Sequence, residues 1–172
     1  FVDYVMALPN DDEGGSTSPP APKAQIIFLG AGMDVTGLWA GHLADHLHII
    51  EVDLPTVCAT KAQRPCEEQQ HVVTEATEKD GTIAAPSTIF RGTFRANQTC
   101  SYSLVAADLR ATEALSAALD VIAVDWRRPT LFVSEVVLAY IGQAASGDLL
   151  TWCARTVQHP HSCLCVLEPL GP

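Results

Sequence analysis

The sequence predicts a doubly wound α/β fold built on a mostly parallel sheet. Short apolar runs alternate with helix-like segments, and several of those runs end in glycine or an acid. Strands that are apolar throughout are typical of a parallel sheet with both faces covered by helices. With 172 residues, 48% of them hydrophobic, the chain is long enough for one such domain with a packed core and too short for a second full one.

The first part of the chain divides into an N-terminal segment and two strand–helix units. Residues 1–23 are interpreted as the remnant of a helix followed by a flexible linker, because PNDDEGGSTSPPAPK is rich in proline, glycine and polar residues. The domain is predicted to span 24–172. Its first four elements are expected to be a strand, a helix, a strand and a helix, at residues 25–30, 35–46, 48–53 and 55–63.

The stretch 64–100 has no sustained hydrophobic period and mixes proline, glycine and both signs of charge. We expect a variable insertion there. The alternation then resumes as strand, helix, strand, helix and strand, at residues 102–108, 111–120, 129–135, 143–157 and 163–168. Five strands and four helices are thus predicted, with the helices as crossovers between parallel strands.

Composition argues against several classes of protein. The net charge is −10 and the one tight basic pair is Arg127–Arg128, so no binding to nucleic acid is expected. No apolar run reaches the ~18 residues of a membrane span, and the N-terminal residues do not resemble a secretory signal. The six cysteines are irregularly spaced, which favours reduced thiols. We expect a cytoplasmic protein, monomeric and without a membrane partner.

The segment QIIFLGAGMD ends its apolar run in a turn suited to ligand binding. Gly30, Ala31 and Gly32 would let the backbone approach a small molecule closely. The third glycine of a dinucleotide fingerprint is missing, and Asp34 would repel a pyrophosphate. A nicotinamide-dependent dehydrogenase therefore requires that the third glycine be dispensable. A cofactor that has no phosphate and some positive charge fits these residues better.

The next three predicted strands of the alternating pattern end in acids, and S-adenosylmethionine suits these acids. The carboxyl ends of parallel strands share one edge of the sheet, so these acids should converge. Asp53 lies about twenty residues after the glycines, which is the spacing of a ribose partner, and Glu51 is its competitor one pleat earlier. Asp108 would face the adenine. Glu135 would hold the methionine end of the cofactor.

Two groups of potential metal ligands occur in the sequence, and neither is assigned a metal. Cys163 and Cys165 lie on a predicted strand, near Cys153, His159 and His161, without the spacing of a structural zinc site, and we expect buried thiols. The second group is the pair of histidines at positions 42 and 46, which are one helical turn apart. The segment HLADH lacks the glutamate of a zinc-protease motif, so it is interpreted as a helix surface.

Four segments together resemble the leucine carboxyl methyltransferases: QIIFLGAGMD, IIEVDLPTV followed by Lys61, YSLVAADLR, and RPTLFVSEVVLAYI. The resemblance covers about residues 24–168, except 64–100. It implies a class I S-adenosylmethionine-dependent methyltransferase fold and methylation of the C-terminal leucine carboxylate of the protein phosphatase 2A catalytic subunit. Residue by residue it implies cofactor contacts from Gly30, Asp53, Asp108, Leu109 and Glu135.

The chain departs from the family pattern at one motif. The family usually has a Trp-Arg pair soon after its glycine turn, whereas here Trp39 falls one place late and Ala40 replaces the arginine. The family also carries basic residues before the first strand and further elements after the fifth. We therefore expect these 172 residues to be a fragment of a longer protein.

The resemblance implies an in-line displacement at the sulfonium methyl group by a carboxylate oxygen. A C-terminal carboxyl has an ordinary pKa of about 3.5, so it is already ionised and requires no general base. Glu135 and Tyr140 are the predicted catalytic residues, Tyr140 as a lining of the methyl site. Two alternatives stay open: a related methyltransferase of tRNA wybutosine synthesis, and a cofactor-binding module without catalysis.

Overall fold

A computed structural model describes residues 23–41, 46–63, 69–75, 88–94 and 100–169, and a seven-stranded sheet runs through them. In chain order the elements are β1 (Ala24–Leu29), α1 (Thr36–Ala40), β2 (Leu47–Asp53), α2 (Pro55–Ala62), β3 (Gln69–Glu75), β4 (Thr88–Phe94), β5 (Ser101–Ala106), α3 (Thr112–Val121), β6 (Thr130–Glu135), α4 (Leu138–Ile141), α5 (Gln143–Thr156) and β7 (Cys163–Leu167).

The five predicted strands form a parallel sheet in the spatial order β5-β2-β1-β6-β7. Counted along the chain as strands one to five, this is the order 3-2-1-4-5 of doubly wound sheets. The direction of winding reverses between β1 and β6. The α/β class and the parallel sheet are confirmed.

The central strands end at the same level. Leu29, the last residue of β1, pairs with Val52 of β2 and with Ser134 of β6. The register continues from β2 into β5, where Asp53 pairs with Ala106. The turns that follow these strands therefore lie along one edge of the sheet, at the switch point, where ligands bind in this architecture.

Both faces of the central strands are buried, as their unbroken apolar runs predict. Ile27, Leu29 and Phe132 lie in one cluster with the apolar side chains of α3 and α5. Ile26 and Ile49 lie in the other, with Ala40 of α1 and Cys58 of α2. Alternate residues of one strand thus point to opposite helical layers, which fixes the register of the sheet.

The sequence predicts no strand within 64–100, whereas β3 and β4 both lie there. They form an antiparallel hairpin, and β4 continues the sheet antiparallel to β5. An antiparallel edge added to a parallel sheet is common in such folds. Ile89 of β4 is fully buried, so the hairpin adds to the core. The variability of this segment stays a prediction.

Other bounds differ by smaller amounts. The helix predicted over 35–46 ends at Ala40, and residues 42–45, which include one histidine of the HLADH motif, lie outside the described part, as do 1–22. A short helix, α4, precedes α5 and was not predicted. In the described ranges, no helix is both long and apolar enough to cross a bilayer.

Candidate functional site

Two neighbouring cavities open at the switch-point edge. The Asp108 cavity has a volume of about 340 Å³ and is lined by Gly30, Asp53, Leu54, Ala107, Asp108, Leu109, Arg110, Glu135, Val136, Val137, Tyr140 and Ile141. The Asp34 cavity has a volume of about 350 Å³ and is lined by Phe28, Leu29, Gly30, Ala31, Gly32, Met33, Asp34, Thr36, Gly37, Glu51, Val133, Glu135 and Val136. Every residue that the sequence singled out for the cofactor or the methyl site lines one of them.

The glycine turn contributes Gly30 to both cavities and needs glycine at two positions. Gly30 has φ +75° and Gly32 has φ +51°, both in the left-handed region that side chains disfavour. A Cβ on Gly30 would also overlap the side chain of Val137, which follows β6. The turn after β1 and the turn after β6 are therefore in direct contact across the switch point.

Asp53 is the last residue of β2 and is hydrogen-bonded to the glycine turn. Its Oδ2 accepts a hydrogen bond from the Gly32 N–H at 2.7 Å, and its Oδ1 accepts one from the Leu54 N–H at 2.6 Å. A carboxylate oxygen can accept a second hydrogen bond, so Asp53 retains acceptor capacity towards the Asp108 cavity. This placement suits the predicted contact with ribose hydroxyls.

Asp108 follows β5 and lines the same cavity. Its carboxylate accepts hydrogen bonds from the backbone N–H of Arg110 and forms an ion pair with the Arg110 guanidinium at 2.6 Å. The hydrogen bond from that guanidinium is the main reason why the pKa of Asp108 lies below its ordinary value. Leu109, between them, is buried and contributes apolar surface.

Glu135 and Tyr140 lie on the β6 side of the Asp108 cavity. Glu135 lines both cavities and is exposed, and no hydrogen bond to its carboxylate comes from the described ranges. Tyr140 is 82% exposed on α4. An aromatic side chain near the start of a helix is more often part of the core, but Tyr140 is exposed, so its ring is available to a ligand.

Asp34 and Glu51 line the Asp34 cavity in different ways. Asp34 caps its own turn: it accepts hydrogen bonds from the backbone N–H of Val35 and Thr36 and from the Thr36 hydroxyl. The Thr36 hydroxyl is the largest cause of the lowered pKa of Asp34. Glu51 is only 1% exposed and lies beneath the cavity, so Asp53 is the better placed of the two candidate ribose partners.

Glu51 belongs to a buried polar group that the sequence did not reveal. Its Oε2 is 2.5 Å from Lys61 Nζ and accepts a hydrogen bond from the Tyr102 hydroxyl at 2.7 Å. Lys61 also donates to the carbonyl of Ala31 in the glycine turn at 3.5 Å. Burial raises the pKa of Glu51, and Lys61 and Tyr102 oppose that shift. The group ties α2 to β2, β5 and the glycine turn.

Gly37 in α1 packs directly on this group, since a Cβ there would overlap Glu51 Oε1. We expect Gly37→Ala to lower the free energy of unfolding by about 1–3 kcal/mol through overpacking. Gly147 in α5 is the matched control: it has open space around it, and Gly147→Ala should raise stability by about 0.5–1 kcal/mol. Thermal unfolding of both variants measures the contrast. Equal effects would mean that α1 does not pack on Glu51 as described.

The cysteine prediction is wrong in part. Cys153 is buried, as expected, and burial raises the pKa of its thiol to about 12, but Cys163 and Cys165 are exposed on β7. The reason is that β7 lies at the edge of the described sheet, where all five of its residues are exposed. Within the described part, no three histidine, cysteine or acidic side chains lie close enough to hold a metal ion.

Comparison with known proteins matches residues 18–154 to the family model described as leucine carboxyl methyltransferase. The chain is 30% identical over 164 residues to tRNA wybutosine-synthesizing protein 4 of Rattus norvegicus, covering 94% of this chain and 22% of the relative. It is 26% identical over 162 residues to leucine carboxyl methyltransferase 1 of Caenorhabditis elegans, covering 91% and 44%. It is 29% identical over 149 residues to leucine carboxyl methyltransferase 1 of Rattus norvegicus, covering 79% of this chain and 40% of the relative.

The chain thus spans between about a fifth and less than half of the length of these relatives. The family model nevertheless covers most of the chain, including the glycine turn, the two acids of β2, Asp108 after β5, and Glu135. The chain belongs to the leucine carboxyl methyltransferase family.

Proposed function

We propose that this chain binds S-adenosylmethionine and forms the cofactor half of a methyltransferase that esterifies the C-terminal leucine carboxylate of the protein phosphatase 2A catalytic subunit. The observation that carries the proposal is the convergence of Gly30, Asp53, Asp108 and Glu135 on one cavity at the switch point. The membership of the chain in a methyltransferase family supports it.

The chemistry of the donor set fits this cofactor. Five acids line the two cavities, Asp34, Glu51, Asp53, Asp108 and Glu135, against one basic side chain, Arg110. Such a lining favours a ligand with positive charge and disfavours phosphates. Asp53 would accept hydrogen bonds from ribose hydroxyls, Asp108 one from the adenine amino group, and Glu135 would pair with the methionine ammonium. Leu109 and Leu54 supply apolar surface to the same cavity.

When bound, the cofactor would supply a methyl group activated by a sulfonium. The carboxylate of the acceptor is ionised at neutral pH, because its ordinary pKa is about 3.5, and needs no base from the protein. The chain's own residues therefore act by binding and orientation, which can lower a barrier by roughly 7 kcal/mol in well-aligned cases. Tyr140, which is exposed and lines the Asp108 cavity, would line the acceptor side.

A second candidate function is modification of a tRNA wybutosine precursor. It is favoured by the identities of 30% and 29% to tRNA wybutosine-synthesizing protein 4 of Rattus norvegicus and Homo sapiens. The net charge of −10 argues against tRNA binding by this chain alone. The carboxyl methyltransferase of a protein C-terminus is therefore our first proposal.

Transfer of a labelled methyl group decides between these functions. The purified protein, with S-adenosylmethionine, is offered a leucine-ending phosphatase peptide, the same peptide amidated at its C-terminus, and tRNA that carries the wybutosine precursor. We expect label in the free-acid peptide and none in the amide, because the nucleophile is the carboxylate. Label in the tRNA alone would support the second candidate. Cofactor binding without transfer to either acceptor would indicate a non-catalytic module if it were found with the whole protein, of which this chain is proposed to be the cofactor half.

A further inference from the structure

We propose that Glu168 is a positioning residue for Glu135 and thereby for the methionine end of the cofactor. Glu168 follows β7, and its carboxylate reaches the turn between β6 and α4. Its Oε1 accepts hydrogen bonds from the backbone N–H groups of Val137 and Leu138, both at 2.9 Å, and its Oε2 accepts a longer one from Ala139 at 3.4 Å. The inference rests on the proposed binding of S-adenosylmethionine.

The turn that Glu168 holds is conformationally unfavourable. Val136 has φ +52°, a left-handed conformation that β-branched residues rarely adopt. Such a conformation persists only where surrounding contacts enforce it. Here the Val136 N–H donates to the Leu167 carbonyl at 2.8 Å, and Val137 packs against Gly30 on the other side. Glu168 supplies charged acceptors to the next N–H groups of the same turn. Hydrogen bonds to a charged acceptor are stronger than hydrogen bonds between neutral groups.

The position of Glu135 depends on this turn more than on contacts of its own side chain. Its carboxylate receives no hydrogen bond from the described part of the chain, so the backbone of the turn sets its direction. Glu168 itself lines neither cavity. It would therefore act on the cofactor through Glu135 and not by contact.

The effect on the site can be separated from an effect on folding. All five residues of β7 are exposed, and none belongs to either core cluster. Glu168→Gln also keeps the size of the side chain and one acceptor oxygen for the turn, so the core contacts of Val137 should be retained. A shift of Glu135 would weaken ligands that carry the methionine ammonium and spare ligands that lack it.

The test compares two ligands by calorimetry: S-adenosylmethionine, and 5′-methylthioadenosine, which has the nucleoside but no ammonium or carboxylate. The proteins are the wild type, Glu168→Gln, Glu168→Asp, Glu135→Gln, the Glu135→Gln/Glu168→Gln double variant, and Glu113→Gln, which removes an acid from the first turn of α3. For Glu168→Gln we expect S-adenosylmethionine to bind about tenfold more weakly and 5′-methylthioadenosine to change by less than about twofold.

The remaining variants make the inference specific. Glu168→Asp keeps the charge and should recover most of the lost affinity, and Glu113→Gln should match the wild type. The double variant should bind S-adenosylmethionine no more weakly than Glu135→Gln alone, because both changes act on the same interaction, that of Glu135 with the methionine ammonium. Equal losses for both ligands, additive losses, or no loss in Glu168→Gln would overturn the positioning role while cofactor binding stands. Absence of binding by the wild type would overturn the proposed function and this inference with it.

Discussion

Replacement of Asp53 by asparagine is expected to weaken S-adenosylmethionine binding roughly hundredfold or more, because hydrogen bonds to a charged acceptor contribute about 1.5–3 kcal/mol each. The carboxylate accepts from the Gly32 and Leu54 N–H groups and is placed to accept from the ribose as well. An asparagine has one acceptor oxygen, and its amide nitrogen would face one of those N–H groups as a second donor. The contact with the cofactor and the hydrogen bond to the glycine turn would both be weakened.

Calorimetric titration with S-adenosylmethionine and with its product, S-adenosylhomocysteine, measures this effect. Asp148→Asn is the matched control, since Asp148 is an exposed acid on α5 that lines neither cavity. It should bind both ligands as the wild type does. If Asp53→Asn bound them with unchanged affinity, the assignment of the Asp108 cavity to the nucleoside would be wrong.

Replacement of Lys61 by methionine should destabilise the fold by about 3–5 kcal/mol, because it leaves Glu51 buried without its cation. Thermal unfolding measures the loss. In the control, Arg155→Met, an exposed cation is removed from the last turn of α5, and the change should stay below about 1 kcal/mol. The double variant Lys61→Met/Glu51→Gln should recover most of the stability, since a glutamine carries no charge and still accepts the Tyr102 hydrogen bond.

The loss in Lys61→Met should depend on pH, and its sign follows from Glu51. The pKa of Glu51 is already raised above its ordinary value of 4.5, and removal of Lys61 takes away the main opposing charge. Between the unfolded and folded pKa values, the folded state then binds more protons than the unfolded state. The free energy of unfolding therefore falls as pH rises above about 4.5. A Lys61→Met protein that lost stability on acidification towards that pH would contradict this account.

The sheet and the predicted site could be derived from the sequence because their signals are local. Apolar runs that alternate with helices predict the parallel strands, and an acid directly after such a run lies at the shared edge wherever the neighbours pair in register. These two signals were enough to predict Asp53, Asp108 and Glu135 as residues of one site. Their meeting in one cavity follows from the strand order β5-β2-β1-β6.

The features that were missed depend on pairing between distant residues. The hairpin of β3 and β4 shows little hydrophobic period, and its place is set by pairing with β5. The ion pair of Glu51 with Lys61 depends on how α2 packs over β2. Glu168 acts on a turn 31 residues earlier in the chain, a distance at which no local motif indicates a contact. The exposed thiols of β7 looked buried because an edge strand can carry the same apolar letters as a central one.

The alternation of core clusters along β2 has a consequence for how this gene can change. Glu51 and Asp53 point to the same side of the strand, one towards Lys61 and the other towards the glycine turn, with Val52 facing the opposite layer. Loss or gain of a single codon within β2 would exchange these faces, leaving an apolar side chain at the ribose position and an acid among aliphatic neighbours. Evolution can thus vary the residues of this strand far more readily than its length.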